Sequence, residues 1–386
     1  MKLGTLSFVA LILSLGSSEW SGKNSSSSKY LLYVGTYTKG ESKGIYAFRY
    51  DTKSAESTPL GLAAETPNPS FLVASPDHQF LYAVNELPQY HGAPSGAVTA
   101  FAIDHGGGKL SELNEVASRG ADPCYISFDK TGKYVLVANY TGGSIAVFPI
   151  SQDGRLQTAT AFVQHKGAGK NPERQEGPHA HWIETTPDNH LALVADLGLD
   201  EVLVYRFDES SGTLTPNTPP FAKVAAGAGP RHVAFHPNGE FVYAIDELAS
   251  TITVFAFDSS HGTLQSLQSV STLPADFKGT NDTAEIHVHP NGKFLFASNR
   301  GHDSISVFSI DQSTGKLTLT AHFPTRGKTP RNFELDPDGT HLLVANQDTG
   351  NIVTFTIDLQ NGRLTPAGQE LKVPSPVSLR FVRTQE

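Results

Sequence analysis

Twelve positions decide what chemistry this chain can do. Six places before each turn proline, or its equivalent, stand Ser70, Cys124, His181, Arg231, Ala284 and Arg331. Ten places after it stand Glu86, Tyr140, Leu197, Glu247, Arg300 and Gln347. A position that serves structure alone should hold similar residues in every copy, and these do not. Guanidinium groups bind carboxylate and phosphate in a bidentate fork, so Arg231, Arg300 and Arg331 together describe an anion site. Glu86, Glu247 and His181 bring carboxylates and an imidazole to the same set. The competing reading is a group of ion pairs that fixes register between repeats, Arg231 with Glu247 and Arg300 with a neighbouring glutamate. Glu285, one residue further inside, is either a site residue or a salt-bridge partner.

The other reactive residue types narrow the choice. His179 and His181 are two apart, so on a strand both project to one side, and His287 and His289 repeat that spacing. Two such pairs raise the question of a metal, but no carboxylate spacing completes a recognised ligand motif. No metal and no cofactor are expected. His236 and His289 open "HPNG" turns and read as structural. The one cysteine, Cys124, has no disulfide partner and reads as a small filler facing a channel. No G-x-S-x-G elbow is present, which disfavours a covalent acyl-enzyme.

These residues are brought together by a repeat. "GPRHVAFHPNGEFVYAIDELASTITVFAFD" from Gly229 has counterparts starting at Asn68, Asp122, Gly177, Ala284 and Thr329. A seventh copy is divided between the ends, with "SPVSLRFV" from Ser375 and "YLLYVGTYTKGESKGIYAFRYD" from Tyr30. Each unit alternates aromatic and β-branched residues and is punctuated by Pro-Asn/Asp-Gly turns, which predicts four short antiparallel strands. Repeats of roughly 46 to 55 residues with four strands each are the mark of β-propeller blades. The fold class is therefore all-β, a seven-bladed propeller whose last blade is closed by both termini. In that geometry the start of each first strand and the end of each second strand meet at one mouth of the central channel, which is where the twelve positions lie. Asn85, Asn139, Asp196, Asp246, Asn299 and Asn346, one residue before the second set, read as turn residues that bind backbone. Three longer loops, Pro88 to Gly96, Gln164 to Glu176 and Leu273 to Thr283, are expected to rim the same mouth.

Composition agrees. The 386 residues include 35 Gly and 24 Pro with only 17% charged, which favours many turns over a helical bundle. A net charge of −9 argues against nucleic-acid or anionic-membrane partners. Lys2 followed by the apolar run Leu3 to Leu15, with small residues up to Ser18, reads as an export signal too short to span a bilayer. The expected organisation is a signal peptide at 1–18, a flexible leader at 19–29 and the propeller at 30–386. A periplasmic or secreted location and no stable membrane insertion follow from it.

The stretches "YVGTYT" at Tyr33, "PHAH" at Pro178, "GPRH" at Gly229, "YAIDEL" at Tyr243 and "SNRGHDSI" at Ser298 resemble the seven-bladed propeller lactonase family, usually labelled 6-phosphogluconolactonase. The resemblance runs from about Leu31 to the carboxy terminus. It implies metal-independent hydrolysis of a sugar-acid lactone, with a small anionic lactone or sugar acid as partner. The family also contains fungal enzymes that cyclise a carboxylated muconate, and that branch implies a His, an Arg, a Glu and a second Arg as working residues. Here they fall on His179 or His181, Arg231, Glu247 and Arg300, with His179 slightly preferred as the histidine nearer the opening. Arg331, Glu285, Glu86, Tyr140 and Gln347 are the accompanying binding residues. In the implied hydrolysis Arg231 and Arg331 capture the anion, Arg300 stabilises the oxyanion, and a histidine or Glu247 serves as base. Two other functions share these residues: a non-catalytic exported propeller that binds an anionic ligand or protein, and a lactonising cycloisomerase.

Overall fold

A computed structural model of the chain describes Met1 and residues 29–384. The expected signal peptide and leader lie outside the described residues, apart from Met1 and Lys29. Within them are twenty-eight strands and no helix, arranged as seven four-stranded antiparallel sheets. Six sheets are continuous in sequence. The seventh pairs Pro376–Arg383 with Lys29–Thr36, then with Gly44–Asp51 and Glu56–Glu65. The ring thus closes by hydrogen bonds between the two ends of the chain, leaving neither end strand with a bare edge on that side.

Alternation of side chains across each strand puts one apolar set on each face of a blade. Both faces are covered, because every blade packs against two neighbours. The core is accordingly seven separate apolar layers, one between each adjacent pair of blades. Trp182, for example, lies in the layer between the blades at 180–223 and 230–271, and Tyr33 in the layer joining the closing blade to the one at 69–117. The turn histidines lock blade to blade. His236 Nε2 bonds the Gly292 carbonyl at 3.0 Å, and His289 Nε2 bonds the Gly339 carbonyl at 2.7 Å, so each "HPNG" turn holds the next one. Gly292 has φ +72, and an added Cβ would come within 3.0 Å of the His236 ring.

One local irregularity repeats in all seven blades and positions the site. Near the start of each innermost strand the pairing with the second strand slips by a residue. The extra residues are Ser70, Cys124, His181, Arg231, Arg331 and Val377, and in the blade that begins at Asp282 the residues Ala284 and Glu285 together face Ser298. A β-bulge takes its extra residue out of the ladder and re-aims the side chain. Here it aims them at the axis. Ser70, Cys124, Arg231, Glu285, Arg331 and Val377 surround a neck in the channel with about 10 Å³ of free space. A cavity of about 220 Å³ lies on the mouth side of the neck and one of about 330 Å³ on the turn side.

Candidate active site

The mouth cavity is walled by Glu86, Cys124, Tyr140, Arg174, His181, Glu247, Asp282, Arg300 and Arg331. Glu247, buried at the end of strand Phe241–Asp246, is its electrostatic centre. Arg174 Nη2 donates to its Oε1 at 2.6 Å. Arg231 Nε and Arg300 Nη2 each lie 2.9 Å from its Oε2. Burial alone would raise the Glu247 pKa, but Arg300, Arg231 and then Arg174 outweigh it and hold it at about 2. Arg231 sits beneath the cavity, in the neck, with Nη1 donating to the Ala284 carbonyl at 2.7 Å. Burial, with the charges of Arg300 and Arg331, lowers its pKa to about 10. The ion-pair reading is therefore correct for Arg231 and Glu247. It is correct for Arg300 as well, whose glutamate is the same Glu247, and does not extend to Arg331.

Arg331 differs. No carboxylate lies within salt-bridge distance of it among the described residues; its guanidinium stands 5.4 Å from the centre of the Tyr37 ring. The Tyr37 hydroxyl donates to both oxygens of Glu86, at 3.0 and 2.9 Å, and burial pushes it above the ordinary phenol range, which keeps the proton on. Arg300 Nη2 also donates to the Thr283 carbonyl at 2.7 Å, while its buried Nε finds no acceptor among the described residues. The site thus offers one guanidinium free of any carboxylate, that of Arg331, suited to an oxyanion.

Of the sequence-predicted residues, Glu86, Tyr140, His181, Glu247, Arg300 and Arg331 meet around this cavity, with Arg231 directly below. Three are placed otherwise. His179 does not line the cavity: its ring stacks on Tyr140 at 4.5 Å, and its Nδ1 bonds the Tyr140 carbonyl at 3.0 Å. The bulge turns His181 inward in its place, so His181 rather than the expected His179 is the histidine on the cavity wall. The inner histidine is held neutral. Burial first, then the charges of Arg231 and Arg331, keep its pKa well below 6.5. Glu285 lies in the neck, where His232 Nδ1 bonds it at 2.8 Å and Asn332 Nδ2 at 2.6 Å, because its blade places two residues in the bulge. Gln347 stays outside the cavity, and its Nε2 donates to Asp348 at 3.3 Å. Arg174, Asp282 and Tyr37 are site residues that the repeat register missed. Two of them belong to the rim loops singled out from sequence, and Tyr37 belongs to "YVGTYT". Among the described residues no three His, Cys, Asp or Glu side chains cluster closely enough to hold a metal ion.

The fold is a propeller with three arginines and three carboxylates gathered on the wall of a cavity at one channel mouth. Residues 31–381 match the family model "Lactonase, 7-bladed beta-propeller", and the chain belongs to that family. It is 38% identical over 308 residues to the 6-phosphogluconolactonase of Bacillus subtilis strain 168, covering 80% of this chain and 85% of that one. A solved structure from Bacteroides fragilis NCTC 9343 superposes with a TM-score of 0.86 at 41% identity, over 92% of this chain and 98% of the other. The periplasmic gluconolactonase of Pseudomonas aeruginosa superposes with a TM-score of 0.86 at 35% identity, over 93% and 100%.

Proposed function

We propose that this protein hydrolyses the lactone of a sugar acid in the mouth cavity. The observation that carries the reading is Arg331, a buried guanidinium on the cavity wall with no carboxylate partner among the described residues. Such a group is stabilised by an incoming anion or polyhydroxyl substrate. In the reaction, water adds to the lactone carbonyl and negative charge grows on its oxygen. Arg300, on the cavity wall, receives that charge; losing one such donor typically costs roughly 10²–10³ in rate. Arg331 orients the substrate and holds the carboxylate as it forms. Glu247 is ionised at any working pH and acts as the common anchor that keeps Arg174, Arg231 and Arg300 in place.

The substrate we favour is unphosphorylated, and we place the protein outside the cytosol. The apolar run at Leu3 to Leu15 and the similarity to a periplasmic gluconolactonase support this. Sugar phosphates are scarce there. Proton release from gluconolactone and its 6-phosphate, and proton uptake with an unsaturated diacid, measured against heat-denatured protein, test the reading. Gluconolactone should turn over fastest, and Arg331→Ala should raise KM at least tenfold with the fold intact by circular dichroism. Failure to accelerate any lactone would overturn the assignment, and turnover of the diacid alone would make the protein a cycloisomerase.

A further inference from the structure

The lactonase reading leaves the proton unassigned, and the groups first considered for it are poorly disposed to take it. Both oxygens of Glu247 are committed to guanidiniums at 2.6 to 2.9 Å. Both oxygens of Glu86 accept from Tyr37. His181 is buried, with its Nδ1 against Cys124 Sγ at 3.7 Å.

One carboxylate on the wall is uncommitted. Asp282 opens the innermost strand of its blade, Asp282–Val288, directly after the rim loop. Its side chain makes no ion pair and no hydrogen bond among the described residues, yet it is half-buried in the cavity wall. In the ladder it stands directly opposite Arg300. Residues directly opposite in an antiparallel pair project from the same face with Cβ atoms about 5 Å apart. A free carboxylate and an oxyanion donor therefore flank one spot, which is the arrangement that activating a water and receiving the resulting charge requires.

We infer that Asp282 is the general base of this site, a role that rests on the lactonase reading. Its carboxylate takes one proton from the attacking water as the hydroxide oxygen bonds to the lactone carbonyl carbon. The carbonyl electron pair moves onto oxygen, against Arg300. The tetrahedral species collapses, the ring C–O bond breaks, and the leaving ring oxygen takes the proton back from Asp282. One water is consumed, and the new carboxylic acid releases its own proton to solvent. The electrostatics agree. Burial first and the negative charge of Glu247 second raise the Asp282 pKa, against the pull of Arg300, Arg174 and Arg231. A stronger base than an ordinary carboxylate is what the step uses, and a positioned base contributes roughly 10²–10⁴ in rate.

The test is kcat against pH for the wild type, Asp282→Asn, Asp282→Glu and Glu247→Gln, after subtracting spontaneous lactone opening. Asp282→Asn should lose on the order of 10²-fold or more in kcat with KM little changed. It should lose the acid limb of the profile and regain activity when formate is added. Asp282→Glu should restore part of kcat. Glu247→Gln should keep the acid limb while weakening KM. An Asp282→Asn enzyme with half of the wild-type kcat, or with its acid limb intact, would overturn the proposal, as would loss through KM with no response to formate. A wild type that opens no lactone would take the lactonase reading down as well, so the two failures are distinct.

Discussion

Glu247 is the single carboxylate with which three arginines of the cavity and neck pair. Three guanidiniums converge on it, and no other carboxylate replaces it. Replacing it with Gln leaves those cations without the carboxylate they pair with, so Glu247→Gln should destabilise by on the order of 3 kcal/mol as well as weaken substrate binding. Its folded pKa, about 2, lies below the ordinary 4.5, so its contribution is complete above about pH 4.5 and fades as pH falls toward 2. Urea midpoints at pH 6 and pH 3 should differ more in the wild type than in Glu247→Gln. The core of this cluster was legible in sequence because Arg231, Glu247 and Arg300 break a pattern that is otherwise periodic. Arg174 and Asp282 were not, because the one sits on a rim loop and the other at the junction of a rim loop with its strand, where there is no repeat to compare against. Separating His179 from His181 needed the bulge, which two-residue alternation alone does not reveal.

Within a blade, the end of the second strand is held by an amide that recurs with two departures, Asp196 and Asp246. Asn85 Nδ2 donates to the Pro67 carbonyl at 2.6 Å, Asn299 Nδ2 to the Thr272 carbonyl at 3.2 Å and Asn346 Nδ2 to the Thr325 carbonyl at 3.2 Å. Asp246 occupies the same place, accepting from Thr251 and Thr253 at 2.8 Å each. Burial raises its pKa to about 7, above the hydroxyl bonds that oppose the shift. A group with a raised folded pKa stabilises fully below its unfolded value, near 4, and loses that contribution as pH rises through 7. Asp246→Asn should therefore leave Tm nearly unchanged at pH 4 and raise it at pH 8, read by thermal melts at both. The strands and turns themselves were legible almost residue by residue, since Pro-Asn-Gly turns and period-two alternation are local signals. The structural role of His236 and His289 was legible too, because each belongs to the turn motif rather than to the variable positions.

At the scale of the ring, closure depends on one strand. Pro376–Arg383 is the innermost strand of a blade whose other three strands come from the opposite end of the chain, and it also supplies Val377 to the neck. Ending the chain at 373 would bare the edge of Lys29–Thr36 and open the apolar layers that Leu379 and Val382 complete. That truncation should aggregate or melt far below the full chain, whereas a circular permutant that joins the ends and opens an exposed 3–4 strand turn should fold, as light scattering and thermal melts would show. Seven blades could be counted in the sequence because the divided repeat left matching halves at the two ends. The neck could not, since its width is set by how seven bulges meet around the axis. About 10 Å³ is room for a single water at most. The tunnel is thus a cul-de-sac for anything larger. On the proposed reaction, a hydroxy acid made at the mouth has no rear exit and leaves through the doorway its lactone entered. Accumulating acid should then inhibit competitively against fresh lactone, and turnover should slow well before the lactone is exhausted.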